Sequence, residues 1–409
     1  MKRLDDYIGI VDDSLIQEIR SRAEHLQDAR IVQVNSTYMG GGVAEILSSL
    51  IPLLNDIGLR CGWRILHGTP DFFAITKKFH NGLQGEAVEL SEQEKEIFLQ
   101  TNQNYATYTH LTHDAVIIHD PQPMPLVMLY SQIQPWIWRC HIDLSSPNEM
   151  IWNFLKPFTE HYNKVVVSKE DYIPPDLKTP TTIIHPVIDP LALKNREMTP
   201  EETDAILTSF NVPLDKPFIT QISRFDKWKD PDGVLDIFRE VKKDVDCRLV
   251  LCGNMATDDP EGLQIYERVK TRVEREFPPD DITLITIANH ELVNALQRRS
   301  NVIIQKSLRE GFGLTVTEAL WKGTPVIASR VGGIVLQIKN GYTGYLIEPT
   351  DVSEFAEHAK ELLADPVKAR EMGAAGKEFV RQHFLLPQLV LDEIKMLNKL
   401  LPDKKFGPT

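Results

Sequence analysis

The chain has 409 residues, enough for two hydrophobic cores, since a single core rarely grows beyond about 250–300 residues. Hydrophobic residues make up 42% and charged residues 25% of the sequence, which excludes a disordered or disulfide-dense protein. The formal net charge of -13 argues against a nucleic-acid partner, because phosphate backbones require clustered lysine and arginine. No apolar stretch is long enough to span a bilayer and no apolar leader is present, so we expect a cytoplasmic protein without a membrane partner.

The first half of the chain alternates short apolar strands with amphipathic helices. Helices are predicted over residues 43–57 and 150–162. This rhythm is typical of a parallel sheet that is covered by helices on both faces. The predicted strands begin at Ile31, Trp63, Ala115, Trp136 and Val165.

Residues 173–217 are rich in proline and predicted to be irregular, after which the strand rhythm restarts. Residues 385–401 are predicted to form one closing helix. We therefore expect an α/β protein with two Rossmann-like domains, the first over 1–213 with the C-terminal helix 386–409, the second over 214–385. The second set of strands begins at Phe218, Arg248, Ile282, Asn301, Pro325 and Gly344.

Neither a disulfide framework nor a metal site is predicted. The motif Asp230-Pro231-Asp232 resembles the Asp-x-Asp of metal-dependent transferases, but an aspartate before proline at a helix start is an ordinary N-cap arrangement. The four cysteines are scattered through apolar stretches without a Cys-x-x-Cys pair, so we interpret them as buried free thiols. They are Cys61, Cys140, Cys247 and Cys252.

Ligands of open parallel sheets bind beyond the carboxyl ends of the strands, so the residues that follow each strand are the candidates. After the first strand, Gly41 and Gly42 open a helix whose free amides could hold a phosphate or a sugar hydroxyl; a plain tight turn is the alternative. Asp120, next to His119, and the pair His141 and Asp143 end two further strands. These side chains could orient hydroxyls or take a proton, or they could simply satisfy loop amides.

The second half carries two cations after its first strand. Arg224 and Lys229 lie five residues apart between a strand and a helix. A planar guanidinium and a mobile ammonium could together neutralise a diphosphate leaving group, and a solvated basic loop is the alternative.

A glycine-containing loop later in the second half is flanked by two glutamates. Gly311 and Gly313 allow a ligand to approach the backbone, and the helix that follows presents its N-terminus to the loop. Glu310 precedes the turn and Glu318 lies on the helix, so one carboxylate could reach a sugar and the other a ribose diol. Two solvent-facing glutamates are the alternative.

Taken together, these residues resemble the retaining glycosyltransferases of family four, which have the GT-B fold with two sheets facing a central cleft. Glu310 and Glu318 match the E-x7-E motif of the family, and Arg224 and Lys229 match its Arg-x4-Lys motif. The resemblance is strong over residues 217–385 and weaker over the first half. One departure is that Gly333-Ile334 continues with Val-Leu-Gln instead of the usual Pro-Glu, which removes a common carboxylate.

The resemblance implies a role for each matching position. Arg224 and Lys229 would clamp the donor diphosphate, Glu318 would bind the ribose, and Glu310 would contact the donor sugar near its reacting carbon. His141 would touch the donor sugar, and together with Arg224, Lys229, Glu310 and Asp120 it forms the predicted catalytic set. Further donor contacts are implied for Gly41, Gly42, Gly253, Asn254, Gly311, Phe312, Gly313 and Leu314, and acceptor contacts for Gly41, Asp120, His141 and Asp143.

The first half looks most like the trehalose glycosyltransferring synthases. That similarity implies transfer of glucose from UDP-, ADP- or GDP-glucose to glucose, giving α,α-trehalose in a reaction that could be reversible. No cofactor is required by the motifs, although a Mg²⁺ ion bound with the diphosphate is compatible with them, and a homodimer is expected.

Three other functions remain open at this point. The acceptor could be another sugar or a sugar phosphate, as in sucrose-phosphate and trehalose-phosphate synthases. A nucleotide-sugar epimerase or hydrolase would consume the donor without an acceptor. A nucleotide-sugar sensor would bind without turnover, which the presence of both cations and both glutamates disfavours. A dehydrogenase is disfavoured because the G-x-G-x-x-G fingerprint is missing.

Overall fold

The computed structural model describes residues 2–38, 41–131, 133–253 and 260–402. The chain forms two compact units, residues 1–187 with 385–409 and residues 188–384. Strands and helices are numbered below in chain order.

The first unit is built on a six-stranded parallel sheet with the order β2-β1-β3-β4-β5-β6. The closing helix α13 belongs to this unit. Its strands are β1 (Arg30–Asn35), β2 (Arg60–Ile65), β3 (Ala115–His119), β4 (Trp136–Arg139), β5 (Lys164–Val167) and β6 (Thr181–Ile183). Its helices are α1 (Asp13–Ala23), α2 (Gly42–Asp56), α3 (Pro70–Leu83), α4 (Glu92–Tyr108), α5 (Glu149–Thr159) and α13 (Leu386–Leu400).

The two faces of the first sheet differ in chemistry because successive side chains of a strand point to opposite faces. Val32, Val116 and Trp138 pack into an apolar core with residues of α3, α4 and α5. The register pairs Gln33 with Ile117, and His119 with Arg139, so alternate residues of β1, β3 and β4 share the other face. Three polar side chains, Gln33, His119 and Arg139, are therefore buried on one face of this sheet.

The second unit is built on another six-stranded parallel sheet, with the order β12-β11-β10-β7-β8-β9. The two parallel sheets confirm the predicted α/β class. The strands are β7 (Phe218–Ile222), β8 (Arg248–Cys252), β9 (Ile282–Ile285), β10 (Val302–Gln305), β11 (Val326–Ser329) and β12 (Tyr345–Ile347). The helices are α6 (Pro200–Ser209), α7 (Pro231–Lys242), α8 (Pro260–Glu276), α9 (His290–Arg299), α10 (Leu314–Trp321), α11 (Val352–Ala364) and α12 (Pro366–His383).

The second unit begins at Ile188, earlier than the predicted position 214. The reason is α6, because Leu207 and Val212 are buried with Phe218 and Val250 on one face of the second sheet. The segment predicted to be irregular thus contributes β6 to the first sheet and α6 to the second unit. The backbone N–H of Ile188 donates to the carbonyl of Phe384 at 2.9 Å, so the first and last residues of the second unit lie side by side.

The cysteine prediction is confirmed, since all four cysteines are buried free thiols. Within the described residues, no helix is both long and apolar enough to cross a bilayer.

Candidate functional site

The loop after β7 holds both predicted cations. Lys229 Nζ forms an ion pair with Glu310 Oε2. Arg224 Nη2 lies 3.5 Å from Asp226 Oδ2, and 56% of the Arg224 side chain is exposed. Asp226 also accepts the backbone N–H of Trp228 at 2.8 Å, which holds the loop. The structure therefore brings Lys229 and Glu310 together and leaves the Arg224 guanidinium accessible to an anion.

The pair of Lys229 and Glu310 is held by neighbours on β7 and just after β10. Ser307 Oγ donates to Glu310 Oε2 at 3.2 Å, and Gln221 Nε2 donates to the Lys229 carbonyl at 2.7 Å. The side chains of the pair are only 18% and 11% exposed. Partial burial and fixed partners give a preorganised charge arrangement, which is the kind of site that stabilises charge developing on a ligand.

The Asp230-Pro231-Asp232 motif caps a helix, as predicted. Asp230 has a left-handed backbone (φ 42°), and its Oδ1 accepts the N–H of Gly233 at 3.0 Å at the start of α7. Its other oxygen pairs with the buried Lys306. Asp232 lies 2.7 Å from Arg268 in a separate ion pair. No group of three His, Cys, Asp or Glu side chains that could hold a metal occurs in the described part of the chain.

The glycine-containing loop before α10 requires its glycine at position 313. Gly313 is the N-cap of α10 with φ 83°, a left-handed conformation that other residues rarely adopt. A Cβ at this position would lie 3.1 Å from Glu310 Cγ. The first amides of α10, beginning at Leu314, are therefore presented next to Glu310, where a helix N-terminus favours an anionic ligand.

Gln337 fixes this loop from behind. Its Nε2 donates to the Phe312 carbonyl at 2.5 Å, and its Oε1 accepts from Thr317 Oγ1 at 2.6 Å. The Gly311 carbonyl accepts from the N–H of Gly333 at 3.1 Å. Gln337 ends the Val-Leu-Gln stretch that stands where the family usually has Pro-Glu. This stretch therefore supplies a buried side-chain amide that supports the loop.

The Phe312 side chain serves the core of the second unit. It is 6% exposed and packs edge to face against Phe384, with 5.7 Å between the ring centroids. Only its backbone therefore remains for the predicted donor contact.

Glu318 is enclosed in a polar cluster within the second unit. Its Oε1 lies 3.3 Å from Lys194 Nζ, and its Oε2 accepts from Gln297 Nε2 at 3.3 Å. Lys322 donates to Gln297 Oε1 at 2.7 Å, and burial lowers the pKa of Lys322 to about 7 against the opposing attraction of Glu318. The Glu318 carboxylate is 4% exposed, so the ribose contact implied for it stays a prediction.

Asp120 and His141 lie together in the first unit. Asp120 has a left-handed backbone (φ 61°), and its Oδ1 accepts the backbone N–H of His141 at 2.8 Å. Removal from water raises the pKa of Asp120 to about 6, although the hydrogen bond from His141 and the charge of Arg139 lower it. Asp143 Oδ1 accepts the N–H of Ser145 at 2.9 Å. One oxygen of each carboxylate thus satisfies a backbone amide, and the roles of Asp120 and Asp143 in sugar binding stay predictions.

The remaining predicted glycines occupy element ends. Gly41 is the N-cap of α2 (φ 83°), and Gly42 is the first residue of that helix. Gly253 follows β8, where a Cβ would lie 2.2 Å from the carbonyl oxygen of Ser223, so the close backbone approach requires glycine. The predicted donor contact Asn254 lies outside the described residues.

Behind His141 lies a chain of polar side chains. His119 Nδ1 is 3.0 Å from His141 Nε2, and His119 Nε2 is 2.7 Å from Gln33 Oε1. Gln33 Nε2 donates to Glu393 Oε1 on α13 at 2.5 Å, and Glu393 Oε2 is 3.6 Å from Arg139 Nη1. Of these residues, only His119 and His141 were candidates from the sequence. Gln33 in β1 and Arg139 in β4 could have been found as polar residues within largely apolar buried strands.

Comparisons with known proteins agree with these observations. Residues 33–174 match the family model described as trehalose synthase, N-terminal domain, and residues 202–379 match glycosyl transferases group 1. Proteins named trehalose synthase from Thermococcus litoralis and Rubrobacter xylanophilus are each 44% identical. The former match covers 97% of both chains; the latter covers 98% of this chain and 97% of the relative. The chain belongs to the trehalose synthase family.

Solved structures support the GT-B fold of this trehalose synthase family member. Sucrose-phosphate synthase from Thermosynechococcus elongatus matches with a TM-score of 0.71 at 19% identity, covering 92% of this chain and all of that chain. The α,α-trehalose-phosphate synthase (UDP-forming) from Burkholderia xenovorans gives 0.70 at 13% identity, with 91% and 99% coverage. The predicted family and fold class are confirmed, and the chain is an enzyme of the hexosyltransferase type.

Proposed function

We propose that this enzyme transfers glucose from a nucleotide diphosphate glucose to free glucose, with retention at the anomeric carbon, to form α,α-trehalose. The observation that carries the proposal is the 44% identity to proteins named trehalose synthase over 97% of the chain. It is supported by the preorganised pair of Lys229 and Glu310 beside the N-terminus of α10.

In the proposed reaction, the acceptor hydroxyl oxygen forms a bond to C1 of the donor glucose on the face from which the diphosphate leaves. The bond between C1 and the β-phosphate oxygen breaks, and the hydroxyl proton passes to an oxygen of the leaving diphosphate. Arg224 and Lys229 offset the negative charge that grows on this leaving group. Glu310 holds Lys229 in place and contacts the donor sugar near C1.

The test is product analysis with a panel of substrates. The protein is incubated with UDP-, ADP- or GDP-glucose and with glucose labelled with ¹³C at C1, and the products are identified by NMR. We expect α,α-trehalose with the label in one ring only. Release of nucleotide diphosphate at the same rate without acceptor would instead indicate a hydrolase, and conversion of the donor to another nucleotide sugar would indicate an epimerase.

Two further arms address the acceptor and the leaving group. Glucose 6-phosphate and fructose 6-phosphate replace glucose as acceptors. Glucose 1-phosphate replaces the nucleotide donor, because a protein named trehalose phosphorylase from Pleurotus pulmonarius is 29% identical over 93% of this chain and 58% of its own length. Faster turnover in either arm than with a nucleotide glucose and free glucose would contradict the proposal.

A homodimer and a cytoplasmic location remain expectations, and so does independence from a protein-bound metal. Light scattering coupled to size-exclusion chromatography measures the first. Turnover after treatment with EDTA measures the last, and we expect it to persist at saturating donor.

A further inference from the structure

The buried polar face of the first sheet contains four side chains that follow one another without a gap: Glu393, Gln33, His119 and His141. Three of them are no more than 1% exposed, and His141 is the partly exposed member at one end. A buried hydrogen-bond chain has a direction, since each neutral side chain must accept at one end and donate at the other.

The direction of this chain is set by Arg139. A guanidinium carries its charge at every ordinary pH, and Glu393 is its acidic neighbour at 3.6 Å. Burial raises the pKa of the Glu393 carboxyl, while the charge of Arg139 and the hydrogen bond from Gln33 lower it. The carboxylate that pairs with Arg139 can only accept hydrogen bonds. The group that Gln33 turns toward Glu393 must therefore be its NH₂, which leaves the Gln33 carbonyl to face His119.

The carbonyl of Gln33 then determines the protonation of both histidine rings. His119 Nε2, 2.7 Å from this oxygen, must carry a proton. Burial and the charge of Arg139 hold the pKa of His119 well below its usual range, so the ring is neutral and its Nδ1 is an acceptor. His141 Nε2, 3.0 Å from that nitrogen, must therefore donate.

His141 is neutral for the same reasons, since burial, Arg139 and His119 all lower its pKa. With its proton on Nε2, the other ring nitrogen has only a lone pair. The hydrogen bond from the His141 backbone N–H to Asp120 fixes the main chain that carries the ring. The two imidazole rings lie nearly parallel, with 14° between their planes.

We propose that Gln33, His119 and Glu393 are positioning residues that hold His141 as the Nε2–H tautomer, so that its Nδ1 accepts a hydrogen bond from a sugar hydroxyl. The assignment of the tautomer rests on the hydrogen-bond geometry, the burial and the charges within the first unit, and it does not depend on the proposed function. The identity of the hydrogen-bond partner rests on the proposed function.

The tautomer is tested directly by NMR on the wild-type protein with ¹⁵N in its histidine rings, where protonated and bare ring nitrogens have distinct shifts. We expect the proton of His141 on Nε2, with His119 in the same form. A proton on Nδ1 of His141 would overturn the proposal. This readout needs neither a variant nor activity.

Variants then test the chain. His119→Phe keeps a ring in place but removes both ring nitrogens, so His141 should populate both tautomers and kcat/KM should fall by about 10- to 100-fold, as for other orienting partners. His119→Gln, which restores a donor and an acceptor, should recover part of the loss. Gln33→Met should also reduce kcat/KM, but adding it to His119→Phe should have no further effect, because the chain acts in series. Independent, multiplying losses would count against the proposal.

The matched control is Asn102→Leu. Asn102 is fully buried in the same unit and donates to the carbonyls of Phe98 and Gln122, away from the chain. We expect this variant to lose stability but to keep the His141 tautomer and the wild-type kcat/KM. If the His141 tautomer changed as much in Asn102→Leu as in His119→Phe, a general loss of packing in the first unit would explain both changes. That result would overturn the proposal.

The hydroxyl partner is found with monodeoxy analogues of glucose and of the donor. For one analogue, the wild type and His119→Phe should have equal kcat/KM, because the hydroxyl that His141 binds is missing. If the two proteins differ equally with every analogue, the sugar contact is wrong while the tautomer assignment stands or falls by the NMR. If the wild type shows the expected tautomer but makes no trehalose, the chain is supported and the proposed function fails.

Discussion

In the second unit, Lys229 and Glu310 form an ion pair between two loops that follow strands, 81 residues apart in the chain. In the first unit, Arg139 and Glu393 form one between a strand and the closing helix, at 4% and 1% side-chain exposure. The loop pair belongs to motifs that face the edge of a sheet. The interior pair belongs to no motif, and Gln33 and His119 connect its Glu393 to the partly exposed His141. The two proposals thus prepare polar groups for a ligand in different ways, one by direct presentation on loops and one through buried intermediaries.

The largest expected effect comes from breaking the interior pair. Glu393→Gln leaves the Arg139 guanidinium buried without its counterion, which should lower the free energy of unfolding by about 3–5 kcal/mol. Thermal and urea unfolding measure it. The matched control is Glu18→Gln, which removes an exposed ion pair to Lys395 on the same helix α13 and should cost less than about 1 kcal/mol. Equal losses in the two variants would mean that breaking the interior pair lowers the free energy of unfolding no more than breaking a surface pair.

The next effect concerns turnover. Lys229→Ala removes a cation from the proposed diphosphate site, so kcat should fall by about 10²- to 10³-fold, the effect of losing one preorganised electrostatic contact. Arg224→Ala should behave in the same way. The control Lys227→Ala removes a neighbouring cation that lies over the ring of Trp228, and it should retain most activity. Wild-type turnover of Arg224→Ala or Lys229→Ala at saturating donor would remove that cation from the mechanism.

Glu310→Gln should have a smaller effect of a different kind. The substitution keeps the size of the side chain but removes the charge that pairs with Lys229 and is proposed to lie near C1. We expect kcat to decrease by more than the donor KM increases, because the lost interaction is made mainly in the transition state. Initial-rate kinetics with varied donor measure the split. A defect confined to KM would assign Glu310 to ground-state binding.

The smallest effect is a change in pH dependence. Because the pKa of folded His119 lies well below 6.5, the unfolded chain binds its proton first as the pH falls, so this residue makes folding less stable below about pH 6.5. Between pH 7.5 and 5.5, the free energy of unfolding of His119→Phe should therefore fall less than that of the wild type, by no more than about 1.4 kcal/mol per pH unit, and its Tm should fall less as well.

Asp120 is present in both proteins and therefore serves as an internal reference for the pH experiment. Its folded pKa of about 6 is above the unfolded value, so it acts in the opposite direction and lowers stability as the pH rises from about 4 to about 6. An unchanged pH dependence of Tm in His119→Phe would show that the pKa of His119 is the same in the folded and the unfolded protein. That result would also contradict the direction assigned to the hydrogen-bond chain.

Much of the second unit could be predicted from the sequence because its signals are local. The position of Gly313 at the N-cap of α10 follows from the sequence of one loop and one helix, and so does the capping role of Asp230. Phe312 was predicted as a donor contact, and the structure packs its side chain on Phe384, which leaves its backbone for that contact. A loop motif does not indicate which of its side chains face the core, since that depends on residues far away in the chain.

The first unit shows the opposite case. The apolar runs of β1, β3 and β4 predict buried strands, but they do not reveal that Gln33, His119 and Arg139 lie on one face, because this requires the register between strands. The partner Glu393 is 360 residues from Gln33 and reaches it only when α13 returns to the first unit.

By itself, the sequence determined the two parallel sheets, the loops that follow their strands and the trehalose synthase family, because strand patterns and loop motifs are encoded over short stretches. Only the tertiary structure decided which buried polar groups meet. Hydrogen bonds and ion pairs in the interior join residues that are far apart in the chain. Which group donates in each hydrogen bond depends on all of its neighbours being in place.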